Sequence, residues 1–155
     1  MNNDLLSLAE EAIKIEKNVS NLYMIFHKAF AEDADFWWKL VIEEESHAAL
    51  IKSGIKYFGD MGLFPKEILP NSLQELVDAN KKLVSLIEEY SKQPPSRSKA
   101  FQVALETEKS AGEIHLLRAM ETPAKSKTME LFQQLNKDDK YHAERIQAYM
   151  DENLS

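Results

Sequence analysis

Two stretches of this chain set an acid and a histidine three residues apart, Glu44 with His47 and Asp139 with His142. On a helix that spacing projects both side chains from one face, one turn apart, where a carboxylate and an imidazole can together hold a divalent metal ion. Both pairs interrupt apolar stripes. One stripe runs Trp37, Leu40, Glu44, His47, Ile51, Ile55, and the other Phe132, Leu135, Asp139, His142, Ile146, Tyr149. Two further stripes carry one acid each, Glu16 within Leu6, Ala9, Ile13, Val19, Tyr23, Phe26, and Glu108 within Phe101, Leu105, Ala111, His115, Ala119. A carboxylate left ionised in an apolar core costs several kcal/mol, so four of them need cations or shared protons. Four carboxylates balance two divalent cations.

The elements that must position these residues follow from the period of the apolar residues. It predicts five helices, at about 4–31, 35–58, 72–92, 97–121 and 126–152. Asp4 and Ser72 stand at N-cap positions, Ser72 with Glu75 in a capping box, and Pro94-Pro95 and Pro123 end the third and fourth helices. Short connections after the first and fourth helices predict two antiparallel hairpins, which leaves the middle helix to carry the chain between the ends of the bundle. Counted from each turn, Glu16, Glu44, His47, Glu108, Asp139 and His142 come to one level. The hairpins also align as copies. Residues 15–23 line up with 107–115, and residues 40–51 line up with 135–146, the second pair matching in Leu, His, Ala and Ile, as a duplicated unit does.

Composition removes competing classes. The 155 residues suit a single domain over 1–155 with a sizeable core. Four glycines, none at the required spacing, exclude a phosphate-cradling loop. The absence of cysteine excludes disulfides, thiolate metal sites and cysteine nucleophiles, and fits a cytoplasmic setting. A net charge of −7 argues against nucleic acid, and the chain shows neither a signal segment nor a membrane-length apolar run.

Taken together, Glu16, Glu44-x-x-His47, Glu108 and Asp139-x-x-His142 resemble the ferritin-like di-iron carboxylate proteins, and within them the rubrerythrin group. The resemblance implies an all-α fold, a ferritin-like four-helix bundle of two hairpins joined by a long crossover, here containing an extra helix. It implies two iron ions held by those six residues, although the ligand types alone would equally take manganese or zinc. It also implies reduction of peroxide or dioxygen, with a ferroxidase or iron-storage protein and a non-enzymatic interaction bundle as the alternatives. Partners on this reading are the oxidant, an external electron-donor protein and a second copy of the chain in a homodimer, with no nucleic acid and no membrane. The donor must be external because the cysteine-bearing rubredoxin tail of that group is missing. Asp139 stands where the group has Glu, and Ala111 where it often has a further acid.

Tyr23 is the expected catalytic residue, a phenol placed to donate a hydrogen bond beside the metals. His115 is expected to pack rather than ligate, and Trp37, Trp38 and Tyr141 to be core, with electron relay as the alternative role of those three aromatics. Glu43, Glu45, Glu106 and Glu113 fall off the stripes and are expected in solvent.

Overall fold

A computed structural model describes residues 1–137 and 141–154. The described residues form seven α-helices and no strand: α1 (Asn3–Ala29), α2 (Ala34–Phe58), α3 (Leu73–Lys92), α4 (Arg97–Glu108), α5 (Ala111–Glu121), α6 (Lys127–Leu135) and α7 (His142–Asn153). Short 3₁₀ turns at Ala31–Asp33 and Lys66–Ile68 complete the regular structure. No helix among these residues is long and apolar enough to cross a membrane.

Side-chain caps set several of the starts. Asn2, rather than Asp4, caps α1, its Oδ1 accepting from Leu5 N at 2.8 Å. Ser72 accepts from Glu75 N as expected, and Ser96 and Ser126 do the same for α4 and α6. The turn at Ala31–Asp33 folds α2 back along α1. The crossover helix α3 lies on α1 and runs with it, Asn80 bonding to Asn18 and Glu11 and Tyr90 packing near Phe26. It therefore carries the chain back to the end where Asp33 lies, and α4 starts there, with Arg97 bonded to Asp33. From that end α4 and α5 descend, and α6 and α7 return.

The second hairpin departs from expectation. The helix expected over 97–121 is broken at Lys109–Ser110, where Ser110 is extended (φ −70°, ψ 161°). Thr107 Oγ1 bonds back to Val103 O at 2.8 Å, a pattern that bends helices, and Ser110 and Gly112 are poor helix formers. The helix expected over 126–152 is likewise two helices, α7 starting after Tyr141 in a left-handed conformation (φ 61°). Asn136, Asp138 and Asp139 are weak helix formers at that point of the sequence. Leu135, expected on the core stripe, is 62% exposed because α6 stops there.

Two apolar clusters make the core. The first joins Val19, Tyr23, Phe26, Trp37, Leu40, Phe101 and Ile146 at the Asp33 end. The second joins Ala9, Ala12, Ile51, Leu116, Met120 and Phe132 at the other. Each of the four descending or returning arms passes from one cluster to the other, and between them each contributes an acid or a histidine.

Candidate metal centre

The layer between the two clusters holds Glu16 from α1, Glu43, Glu44 and His47 from α2, Glu108 from α4, Glu113 from α5 and His142 from α7, all at least nine-tenths buried. Helical spacing puts Glu44 and His47 on one face of α2, turned toward Glu16. His47 Nδ1 lies 3.5 Å from Glu16 Oε2 and 3.7 Å from Glu44 Oε2. Across the layer, His142 Nδ1 lies 2.7 Å from Glu44 Oε1 and 3.5 Å from Glu108 Oε1. The two imidazoles stack, 5.4 Å between centroids and 15° between planes.

Ligand atoms gather in two groups, each with its members within 4.8 Å of one another: Glu16, Glu44, His47 and Glu113, and Glu44, Glu108 and His142. Glu44 belongs to both. One carboxylate shared between two clusters of acid and imidazole is an arrangement that could hold a pair of neighbouring cations.

Electrostatics make the same point. Burial pushes Glu16 up to about 8, with repulsion from Glu44 adding to it. Burial also raises Glu113 well above the usual carboxylate range, with Glu16, Glu44 and Glu108 repelling it. Burial opposes protonation of His47, but the adjoining Glu16 and Glu44 carboxylates win and raise it to about 10. His142 is raised well above its ordinary value in the same way, chiefly by Glu44. Glu44 is held well below the ordinary range despite burial, because His142 faces it. The layer thus tolerates its carboxylates by taking up protons, the role that cations would otherwise fill.

The hydrogen-bond inventory tests whether a metal fits. Buried polar atoms in proteins are nearly always paired. Here Glu16 Oε2, Glu113 Oε1 and both ring nitrogens of His47 are buried without a hydrogen-bond partner. All are atoms that ligate divalent metals, and the mixed carboxylate and imidazole set suits iron, manganese or zinc. The residues present fit a pair of divalent ions.

Five of the six residues expected as ligands, Glu16, Glu44, His47, Glu108 and His142, come together in this layer; Asp139 lies outside the described residues. Tyr23 is fully buried and donates from Oη to Glu108 Oε1 at 2.5 Å. Burial, followed by the negative charge of Glu108, raises its pKa well above 10.

Other expectations need correction. Glu113, expected in solvent, is 5% exposed and stands with Glu16, Glu44 and His47, because the break before α5 redirects it. The signal for that break was Ser110 and Gly112 in the middle of the stripe. Glu43, also expected in solvent, is 4% exposed. It accepts from Arg145 Nη1 at 2.8 Å and lies 3.3 Å from His142 Nε2, and together these hold it down to about 2 against the effect of burial. Only Arg145, three residues after His142, hinted that an acid would face it. Trp38 and Tyr141, expected in the core, are 44% and 42% exposed, while Trp37 is core as expected. His115 turns to Glu67 O at 3.0 Å, away from the ligand groups.

A cavity of about 40 Å³ adjoins the layer, lined by His47, Glu108, Glu113 and His142 on the inside and by Met120 and Tyr141 further out. No family model, curated protein or solved structure matches the chain.

Proposed function

We propose that the chain is a ferritin-like di-metal protein of the rubrerythrin kind, which reduces hydrogen peroxide at two iron ions with electrons from an external donor protein. One observation carries the reading: two groups of buried carboxylate and imidazole ligands share Glu44 where four helical arms cross between apolar clusters. In this arrangement Glu16, Glu44, His47 and Glu113 would hold one ion, and Glu44, Glu108 and His142 the other. When bound, the metal pair supplies the two electrons that peroxide reduction consumes.

The chain's own residues do the rest. The apolar clusters on either side keep bulk water from the layer, which strengthens every charge interaction within it. Glu43, held by Arg145, faces His142 Nε2 and fixes the orientation of that ring. Tyr23 fixes Glu108 and keeps a proton on Oη at the layer. The adjoining cavity has room for a molecule of a few heavy atoms, which favours hydrogen peroxide over bulky organic peroxides. A homodimer is the assembly proposed.

The test is elemental analysis of purified protein followed by stopped-flow oxidation of the ferrous-loaded form. We expect about two metal ions per chain, as the paired ligand sets require. We also expect faster oxidation by peroxide than by dioxygen, and turnover only with added reductant. Accumulation of many iron atoms per chain would move the assignment to iron storage. A folded chain that binds no metal would move it to an interaction bundle.

A further inference from the structure

Aromatic side chains form an unbroken line from the ligand layer to the Asp33 end of the molecule. It starts at Tyr23, bonded to Glu108, whose ring centroid is 5.6 Å from that of Trp37. Trp37 is 4.6 Å from Phe101 and 5.5 Å from Phe36, and these lie 5.6 and 4.1 Å from Tyr149. Tyr149 is half-buried and donates from Oη to Asp33 Oδ1 at 2.8 Å. Apolar packing accounts for the phenylalanines. It does not account for a phenol donating to a carboxylate at each end of the line with an indole between them.

That arrangement has a redox meaning. A phenol gives up an electron readily only where its proton has an acceptor, and both tyrosines have one. Trp37 has none, because its Nε1 is buried without a partner. It can pass a positive charge on but cannot settle as a neutral radical, so the charge comes to rest at a tyrosine.

We propose that Tyr23, Trp37 and Tyr149 relay oxidising equivalents from the metal layer to the Asp33 end, a route that spares the metal ligands when peroxide arrives and one electron is missing. The oxidant comes from the metal-pair reading, on which this rests. Reducing one hydrogen peroxide to two waters takes two electrons and two protons, the protons coming from solvent. Where the metals supply one electron, Tyr23 supplies the other and leaves its proton with Glu108. Trp37 then reduces Tyr23, which recovers that proton. Tyr149 reduces Trp37 across Phe36 and Phe101, and its own proton moves to Asp33. Arg97 keeps Asp33 a weak base, but an oxidised phenol is a far stronger acid than a carboxylic acid, so the transfer runs downhill. The net product is a neutral Tyr149 radical, which a one-electron reductant such as ascorbate returns to the phenol.

The absence of cysteine makes the test clean, since a photo-oxidant attaches only where a cysteine is introduced. Asn21→Cys serves, an exposed position two residues before Tyr23, in a Trp38→Phe background that removes the exposed indole near it. In the metal-free full chain, flash oxidation should give the tyrosyl signal of Tyr149 by electron paramagnetic resonance; in Tyr149→Phe and in Trp37→Phe the radical should stay at Tyr23, whose proton acceptor is Glu108, and the hyperfine pattern should change accordingly. Trp37→Phe leaves space in the core, so Tyr149→Phe, which removes only a hydroxyl, is the control that keeps the packing. In a second arm, protein loaded with limiting ferrous ion takes peroxide without reductant and is mapped by mass spectrometry. Oxidation should fall on Tyr149 and shift to Trp37 and Tyr23 in Tyr149→Phe. A tyrosyl spectrum unchanged by both substitutions overturns the relay. A Tyr149 radical in the flash arm with no oxidation of Tyr149 in the peroxide arm overturns the peroxide reading and leaves the relay standing.

Discussion

Glu44 is the residue on which the candidate site turns, because among the described residues it alone belongs to both ligand groups. Glu44→Ala should therefore abolish binding of both ions, whereas Glu16→Ala or Glu113→Ala should lower metal content by one; metal analysis after dialysis distinguishes the two results. The metal-free Glu16→Ala chain should melt no lower than the parent, because the substitution removes a carboxyl that burial and Glu44 already destabilise. Of the residues in this layer, those on apolar stripes were legible from sequence: a buried acid among leucines stands out. Glu43 was not, because it is buried by Arg145 and His142 of the other hairpin, a contact that no periodicity within its own helix records.

At the scale of elements, α1 and α2 follow from their stripes, and the two breaks in the second hairpin do not. On a straight helix, residues five apart point about 140° from each other, so Glu108 and Glu113 could not face one site. The interruption at Lys109–Ser110 resolves the conflict. A repeat that matches Thr107–His115 to the unbroken Ile15–Tyr23 conceals it. Close packing at the far end of the hairpins gives an element-scale prediction. Gly54 on α2 lies against the buried ring of Phe132 on α6, with Phe64 beside it, and an added Cβ would run into that ring. Gly54→Ala should cost about 1–3 kcal/mol by thermal or denaturant melting, the usual range for overpacking a core. Metal content should survive, since the ligand layer lies more than one turn away along α2.

The whole molecule is fastened at one end by Asp33, which accepts two bonds of 2.7 Å from Arg97 of α4 and one of 2.8 Å from Tyr149 of α7. The Arg97 guanidinium holds the Asp33 carboxyl below its usual range, against the effect of burial. A carboxyl whose folded pKa is depressed stabilises the fold above its unfolded value, near 3.9, and loses that contribution as pH falls through the folded value. Asp33→Asn should thus cost about 2 kcal/mol at neutral pH, and the loss should shrink toward zero in acid; urea melts across pH 2–7 measure both. Metal binding, as proposed, would act on the whole chain as well. At a hundredfold excess over its dissociation constant, each ion should add about 2.7 kcal/mol to stability. Two ions should then raise the melting temperature by about 10–20 °C, which calorimetry would register.

Both helix breaks lie on one side of the candidate ligand layer, while α1 and α2 pass it uninterrupted. Hydrogen exchange should read this asymmetry directly. Amides in the middle of α1 and α2 sit in continuous ladders between buried faces, so they should exchange only on global unfolding. The amides that open α5 and α7 lack helical partners, so they should exchange by local opening in the metal-free chain. Glu113 and His142 lie in those first turns, so metal binding should slow exchange there most and leave the rates in α1 and α2 nearly unchanged. One wall of the candidate site is thus a preformed template, and bound ions would set the other wall in place.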